Sequence, residues 1–357
     1  MCNTKKILIF SLFLICNLGF SQWEQSIGSE GLDVQAVLSI NEFDYFGGQT
    51  GTYRSEDKSY SFTFSNSGND AIGPTRGFTT DDFYLYTCTS QGVFRSSDKG
   101  GNWVSKSTGL TQLLSHGMTR SKETIFLATL SGIFKSNNQG DSWETAGMSG
   151  LDSRSITCLQ DSILFVGTQG SGVFKSIDNG ANWVAVNNGL TSQNFRAIQA
   201  KGNTVFAGGQ NGTGVYRSTD FGMNWTLLTN GIATSSYRGF ASNEDLIIAG
   251  STVQGVYYST DNGEHWIQIN NGLGDLNVFD LEINSKYIIA GTHSDGVYRF
   301  PLSELPASSV AISEVEKKSS KLNRILDIMG RNSSEKPNTP LLYLYDNGTV
   351  VKKIILN

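Results

Sequence analysis

The stretch Gly92-Val93-Phe94-Arg95-Ser96 decides the fold, because its pattern of glycine, aromatic, basic residue and serine returns at nearly constant spacing. A repeat of about 40 residues with glycine turns and aromatic strands is typical of the four-stranded blades of a β-propeller. One such sheet cannot bury both faces alone, so the blades are expected to stack into a ring. The seven copies begin at Gly51, Gly92, Gly132, Gly172, Gly214, Gly255 and, in a truncated form, Gly296.

The composition agrees with short strands joined by tight turns. Of the 357 residues, 40 are glycine and only five are proline, and charged residues make up 17%. One all-β ring commonly uses a chain of this length, so a second large domain is not required. The predicted fold class is all-β, a seven-bladed β-propeller over residues 22–302 with a small C-terminal β appendage.

A second pattern, Ser-x-Asp-x-Gly-x-x-Trp, follows most copies of the first, as in Ser96, Asp98, Gly100 and Trp103. The aspartate is expected to accept backbone N–H groups across a turn, the glycine to supply a positive φ, and the tryptophan to pack on the sheet. The copy from Ser55 to Phe62 is degraded. The other copies have their tryptophan at Trp143 (with Asn138 in place of Asp), Trp183, Trp225 and Trp266.

These turn residues resemble the Asp-box (BNR) repeats of sialidases, of some glycosidases, of sortilin-type receptors and of the photosystem II stability-factor family. The resemblance covers about residues 22–300. In those families the box is structural and lies away from the ligand site. The resemblance therefore implies a propeller, and it assigns no catalytic role to the box aspartates.

The two ends of the propeller sequence complement each other. The seventh repeat stops at Phe300-Pro301 without a following tryptophan, whereas Gln22-Trp23-Glu24 stands alone before the first repeat. Trp23 lies 39 residues before Phe62, in register with the repeat. The N-terminal strand is therefore predicted to complete the last blade and to close the ring.

Residues 1–21 are predicted to be a signal peptide, because Lys5 and Lys6 precede a short apolar run and small residues. The run is too short for a stable transmembrane helix, although an uncleaved anchor is the alternative. We expect a protein without a membrane span after cleavage, secreted or on the outer cell surface. Only Cys88 and Cys158 then remain, and the repeat places them in blades that do not touch, so both are interpreted as small buried apolar residues.

The C-terminal residues suggest a delivery signal. Residues 303–320 are polar and are predicted to be a linker. Within residues 321–357, Asn347-Gly348 between two apolar runs predicts a β-hairpin. The string from Asp327 to Arg331 and the end of the chain resemble the C-terminal sorting domains of type IX secretion cargo, although the usual Tyr-Pro-Asn-Pro string is absent. The resemblance implies the type IX secretion machinery as a partner; the alternative is a β appendage packed on the propeller.

Arginine concentrates where the chain begins each inner strand, a place that we call the ring position. Acidic residues outnumber basic ones by 26 to 17 over residues 22–300, so guanidinium groups around the axis would focus positive potential there. Such groups suit carboxylate, sulfate or phosphate. The alternative is that each arginine pairs with an acid or a carbonyl of the neighbouring blade. The seven ring positions hold Gln35, Arg76, His116, Arg154, Arg196, Arg238 and Phe279.

The predicted ligand-binding residues are four arginines and three side chains at or beside the ring position. His116 is expected to act as an adjustable hydrogen-bond donor, and Tyr237 and Phe279 to offer stacking surface. The basic residue of the Gly-aromatic-basic string lies on a third strand, away from the axis, and is interpreted as structural. The arginines in question are Arg76, Arg154, Arg196 and Arg238.

Other chemistry has little support in the sequence. The three histidines stand in different repeats without metal spacing, and neither a phosphate loop nor Gly-x-Ser-x-Gly is present. We predict no catalytic residue, no metal and no cofactor, and the acidic balance argues against nucleic acid as a partner.

Two function classes remain. The favoured one is an exported, non-catalytic binding or assembly propeller for an anionic glycan, peptide or protein. The alternative is a glycoside hydrolase, sialidase-like or other, acting on extracellular polysaccharide; Arg154, Arg196, Arg238 and Tyr237 match parts of a sialidase site, but no Tyr–Glu pair is evident and sialidase rings have six blades. Carboxylates for such chemistry, without a motif, are Asp152, Asp275, Asp280 and Asp295.

Overall fold

The computed structural model describes residues 22–65, 73–306, 322–327, 340–345 and 350–354. The chain divides into two compact units, Met1–Leu305 and Pro306–Asn357. The predicted signal peptide, most of the predicted linker and the predicted hairpin turn at Asn347-Gly348 lie outside the described residues. Among the elements that are described, none is a helix of the length and apolarity that crossing a bilayer requires.

The first unit is a ring of seven four-stranded antiparallel sheets, so the predicted fold class is confirmed. In blades 1 to 6 the strands follow in chain order from the axis outward. Blade 1 contains β2 (Val34–Ile40), β3 (Phe43–Gly48), β4 (Gly51–Ser55) and β5 (Thr63–Phe64), and blade 2 contains β6 (Thr75–Thr80), β7 (Leu85–Thr89), β8 (Gly92–Ser96) and β9 (Val104–Ser105). Blade 3 contains β10 (Ser115–Ser121), β11 (Thr124–Thr129), β12 (Gly132–Ser136) and β13 (Glu144–Thr145), and blade 4 contains β14 (Ser153–Leu159), β15 (Ile163–Thr168), β16 (Val173–Ser176) and β17 (Val184–Ala185). Blade 5 contains β18 (Phe195–Lys201), β19 (Thr204–Gly209), β20 (Val215–Ser218) and β21 (Thr226–Leu228), and blade 6 contains β22 (Tyr237–Ser242), β23 (Ile247–Ser251), β24 (Gly255–Ser259) and β25 (Ile267–Gln268).

Blade 7 is built from both ends of the propeller sequence. Its strands β26, β27 and β28 are Val278–Ile283, Tyr287–Thr292 and Val297–Pro301, and its outer strand is β1, Glu24–Gln25. Glu24 pairs with Arg299 and Gln25 with Tyr298 in the antiparallel ladder. The predicted closure by the N-terminal strand is therefore confirmed. A short 3-10 helix, Leu302–Glu304, ends the propeller.

Tryptophans join neighbouring blades at their outer edges. The indole N–H of Trp103 donates to the carbonyl oxygen of Ser65, just after the outer strand of the preceding blade, at 2.9 Å. Trp143, Trp183 and Trp225 repeat this bond, whereas Trp266 bonds within its own turn, to Gly263. Trp23 makes the same bond to Ile269 at 2.6 Å, which shows that it takes the place of the missing seventh tryptophan.

The Ser-x-Asp-x-Gly turns have the predicted chemistry. Asp98 Oδ1 accepts the backbone N–H of Asn102 at 2.7 Å, the Gly100 N–H donates to Ser96 Oγ at 2.8 Å, and Gly100 has a φ of 82°. Even the degraded copy keeps this geometry, because Ser59 adopts a φ of 63° where the other copies have glycine. Each turn is therefore fixed first by hydrogen bonds among its own residues.

Four of the six basic residues of the repeated string bond to the next blade. Arg54 Nη1 donates to the carbonyl oxygen of Lys99, inside the Ser-x-Asp-x-Gly turn of the next blade, at 3.0 Å. Arg95, Lys175 and Arg217 reach the equivalent carbonyls of the blades that follow them. The structural interpretation of these residues is confirmed.

The second unit contains a three-stranded antiparallel sheet in the order β29, β30, β31, with bounds Leu322–Asp327, Pro340–Tyr345 and Val350–Ile354. Leu344 pairs with Val350 and Leu341 with Lys353, so the two apolar runs of the tail pair as predicted. In the propeller, both cysteines are free thiols; Cys88 is buried, as expected, but Cys158 is only half-buried.

Replacing Trp23 by alanine is expected to destabilise the propeller by about 3–5 kcal/mol, the usual cost of emptying a buried aromatic site. Trp23 is 2% exposed and fastens β1 to the neighbouring blade. Phe83→Ala is the matched control, because Phe83 is 71% exposed and its loss should cost less than about 0.5 kcal/mol. Chemical denaturation of the two variants measures the difference, and equal midpoints would contradict the role assigned to Trp23 in closing the ring.

Candidate functional site

The inner strands of the seven blades surround a cavity of about 280 Å³ on the propeller axis. The ring positions stand where the inner strands begin. Because the strands of each blade alternate in direction, this starting end lies on the face opposite the Ser-x-Asp-x-Gly turns. All seven ring positions contribute to the cavity wall: Gln35, Arg76, His116, Arg154, Arg196, Arg238 and Phe279. We call Arg76, Arg154, Arg196 and Arg238 the arginine ring.

A β-bulge in every blade directs these side chains. In blade 2, Thr75 pairs with Thr89 and Gly77 with Cys88, so Arg76 is an extra residue without a pairing partner on the adjacent strand. The same shift occurs at the ring position of each other blade. A bulge bends its strand and re-aims the extra side chain. The sequence revealed the position of the arginines, but not the bulge that turns them to the axis.

The residue after each ring position controls how closely the blades approach. A Cβ atom at Gly239 would lie 2.7 Å from Asp280 Cα, and one at Gly77 would lie 3.3 Å from Gly117 Cα. Neighbouring inner strands are therefore in backbone contact, and a larger side chain would push them apart. A glycine at this position thus allows the close approach that brings the arginines together.

The arginine ring is not neutralised by the neighbouring blades. Arg154 pairs with Asp152 of its own blade, and Arg238 Nη2 donates to Gln35 Oε1 at 3.2 Å. Arg76 and Arg196 make no hydrogen bond or ion pair with any residue that the structure describes, and their Nε atoms are buried. The alternative, one acid or carbonyl of the adjacent blade for each arginine, is not what the structure shows.

Burial and mutual repulsion lower the pKa values of two arginines of the ring. Burial and the charge of Arg154 lower the pKa of Arg196, and burial followed by Arg196 lowers the pKa of Arg238 to about 10. Both guanidinium groups nevertheless remain charged at neutral pH. The cavity therefore holds several positive charges close together in a half-buried setting, which is unfavourable unless an anion offsets them.

His116 differs from the expectation. Burial, and then the charges of Arg154, Arg76, Arg196 and Arg238, lower its pKa to about 3. Its Nε2 lies 3.6 Å from Asp152 Oδ1, beyond hydrogen-bond distance. The imidazole is therefore neutral at neutral pH and carries one N–H donor rather than two.

The two aromatic residues do not offer the expected stacking surface. Tyr237 is fully buried and its hydroxyl donates to the carbonyl oxygen of Ala233 at 2.8 Å, so it does not reach the cavity. Phe279 does line the cavity, but the Arg238 guanidinium lies over its ring at 3.5 Å and His293 packs against it at 4.8 Å. Phe279 therefore positions Arg238 and has little surface left for a ligand.

Two carboxyl groups of blade 7 complete the cavity wall: Asp280, which the sequence offered only as a carboxylate without a motif, and Glu282, which the sequence did not single out. Asp280 Oδ2 accepts the backbone N–H of Val37 at 2.9 Å, which links blade 7 to blade 1. Burial raises the pKa of Asp280 to about 7 and that of Glu282 to about 8. The repeat marks Asp280 as unusual, because the other six blades carry small uncharged residues at its position: Ala36, Gly77, Gly117, Ser155, Ala197 and Gly239.

The remaining candidates have local roles. Asp275 accepts the backbone N–H groups of Asn277 and Ser294, and Asp295 accepts the Tyr298 hydroxyl at 2.5 Å. His265 bonds to the aspartate of its own turn, Asp261. Within the described ranges, no three histidine, cysteine, aspartate or glutamate side chains are grouped as a metal site would require.

Comparison with known proteins shows the fold. No family model matches the chain, and no curated protein matches it. Solved structures that resemble it include the extracellular domain of a putative one-component system from B. thetaiotaomicron, with 16% identity, a TM-score of 0.67 and coverage of 93% of this chain and 47% of that one. A GH74 enzyme of Niastella koreensis has 17% identity, a TM-score of 0.60 and coverage of 76% and 43%.

A third structure, YCF48 bound to a D1 peptide, has 11% identity and a TM-score of 0.64, with 80% of this chain and 98% of that one covered. This chain thus spans a little under half of the first two proteins. At these identities the likeness concerns the propeller fold alone.

Replacing Arg196 by methionine is expected to stabilise the propeller by about 1 kcal/mol, because an unpaired half-buried charge is removed while the aliphatic packing stays. Arg217→Met is the matched control. Arg217 bonds to Asn262 of the next blade and pairs with Glu264, so its loss should cost about 1 kcal/mol. Thermal melts at low salt check both values, and a destabilised Arg196→Met protein would contradict the account of repulsion in the ring.

Proposed function

We propose that this propeller is an exported, non-catalytic binding or assembly module that recognises an anionic group on a glycan, a peptide or a protein. The observation that carries the proposal is the state of Arg76 and Arg196. Both guanidinium groups line one cavity, and neither has a hydrogen-bond or ion-pair partner in the described part of the chain. A bound carboxylate, sulfate or phosphate would supply the missing acceptors.

The unfavourable free energy of grouping four arginines around one cavity supports a binding role. Four guanidinium groups around about 280 Å³ repel one another, and burial removes part of their hydration. Apolar or amide side chains would fill the same positions without that penalty. An arrangement that lowers stability at a cavity is typical of a functional site rather than of a structural one.

The size of the cavity limits what enters it. Small-molecule sites commonly occupy about 300–1,000 Å³, so this cavity admits a small molecule or the charged end of a larger ligand rather than a polymer chain. The rest of the ligand would lie on the face that carries the bulges. YCF48, a propeller of the same fold, has been seen with a peptide bound, which supports a peptide as one kind of ligand here.

The alternative of a glycoside hydrolase has one favourable observation. Asp280 and Glu282 are two carboxyl groups on one cavity wall, and such enzymes use a carboxyl pair. However, the cavity is too small for a polymer chain, and Asp280 is already held by the backbone N–H of Val37. We therefore favour binding. Turnover of a sialoside or a uronide that is lost in Asp280→Asn would reverse this preference.

The binding proposal predicts that Arg76→Ala/Arg196→Ala weakens binding of an anionic ligand by about 100-fold, since two charge-assisted contacts are each worth about 1.5 kcal/mol or more. The ligand is first found on an array of acidic glycans and peptides and then measured in solution. Binding should also weaken with added salt, because the contacts are partly solvated. Lys135→Ala/Lys175→Ala is the control and should bind normally, since these lysines lie on third strands away from the axis. Unchanged binding in the arginine variant would remove the ring from the mechanism.

We propose in addition that residues 1–21 direct export and that residues 303–357 deliver the protein through the type IX secretion machinery. The support is the resemblance of the tail and the division of the chain at Leu305. A chain ending at Leu305 is expected to fold with the melting temperature of the longer protein and to fail to reach the cell surface or the medium of its native host. Normal delivery of the shortened chain, measured by fractionation, would contradict the sorting role.

A further inference from the structure

The axial cavity has an acidic level as well as a basic one. Asp280 and Glu282 stand two residues apart on β26, so their side chains leave the strand on the same face. Each accepts a backbone N–H: Asp280 from Val37 at 2.9 Å, and Glu282 from Ile283 at 2.8 Å. In the described structure, neither carboxyl group lies within ion-pair distance of a basic side chain, although the arginine ring lines the same cavity.

The two levels are separated along the axis. An inner strand advances about 3.3 Å per residue. Asp280 follows the ring position of its blade directly and Glu282 comes two residues later, so the carboxyl groups lie roughly 3 to 10 Å beyond the level of the arginine ring. Guanidinium and carboxyl groups therefore share one small cavity without forming an ion pair.

Resting on the proposed binding function, we propose that the cavity takes a zwitterion, whose anionic group bonds to Arg76 and Arg196 while its ammonium group contacts Asp280 and Glu282. A carboxylate has about four acceptor sites, and one backbone N–H uses only one of them. An ammonium group donates up to three hydrogen bonds and also offsets the negative charge.

The other six repeats strengthen this assignment. Where blade 7 has Glu282, they carry Leu38, Thr79, Thr119, Thr157, Gln199 and Ala241. These neutral residues show that the fold does not require an acid at this level. Blade 7 thus combines two departures from the repeat on one strand, and both departures are carboxyl groups that face the cavity.

The charges around the acid pair set the sign of its pH dependence. Burial leaves both carboxyl groups largely protonated at pH 6, and the charge of Arg238 opposes this effect at Asp280. An ammonium group favours the ionised acids, so zwitterion binding should release protons and strengthen as the pH rises. A simple anion at the ring should instead weaken, because ionised acids repel it. The other charged groups facing the cavity or the acid pair are Asp33, Asp44, Arg76, Asp152, Arg154 and Arg196, and His116 stays neutral in this range.

Calorimetric titration of the full protein tests the proposal. The probes are 4-aminobutanoate, 5-aminopentanoate and 6-aminohexanoate, each compared with the acid that lacks the amine, and inorganic sulfate. At about pH 8.5 at least one amino acid is expected to bind about tenfold more tightly than its partner, the gain from one charge-assisted contact. Titrations near pH 7 in two buffers of different ionisation enthalpy should show proton release for that amino acid, and its affinity should fall towards pH 6.

Asp280→Asn/Glu282→Gln should lose the amine preference and the proton release while still binding the simple acids. Glu123→Gln, at a side chain that is 88% exposed, is the control and should retain both. If every amino acid binds like its partner without proton release, the zwitterion proposal is wrong and the anion-binding function stands. If no probe binds, sulfate included, both proposals fail.

Discussion

Backbone contact between the seven inner strands is the constraint on which the rest of this propeller depends. The strands approach so closely that a Cβ atom at Gly239 would lie 2.7 Å from the backbone of the next blade. A β-bulge precedes this contact in every blade and turns one side chain to the axis. Seven residues that are distant in sequence thus become neighbours. A residue type that recurs with the repeat is concentrated there, and the recurring residue is arginine.

The outer parts of the blades offset the repulsion that this concentration creates. Tryptophan indoles and basic side chains bond to backbone carbonyls of adjacent blades, as Trp103 does to Ser65 and Arg54 does to Lys99. Contacts of these kinds join successive blades from blade 1 to blade 7, and Asp280 bonds to Val37 where blade 7 meets blade 1. Together with the apolar clusters packed between blades, such as the one around Phe206 and Phe240, these contacts stabilise the ring, so the axis can carry side chains that do not stabilise the fold.

The irregular seventh blade gives the cavity its chemical asymmetry. Phe279 replaces a basic residue at the ring position and supports the Arg238 guanidinium from below, while Asp280 replaces a small residue and bonds to blade 1. The same blade is the one that closes the ring with an N-terminal strand. Closure and asymmetry thus meet at one junction, and a ligand in the cavity would be oriented by the difference between blade 7 and the others.

The sequence by itself determined the propeller, its seven blades and its closure, because these follow from a regular period and from the register of Trp23 with the other blade tryptophans. It also located the arginines, because their position recurs in the repeat. Only the tertiary structure decided which side chains share the cavity. Tyr237 packs in the core, and burial together with neighbouring positive charge lowers the pKa of His116. Glu282 came into view only when seven strands met at one axis, since burial and the distance between blades are not written in any single repeat.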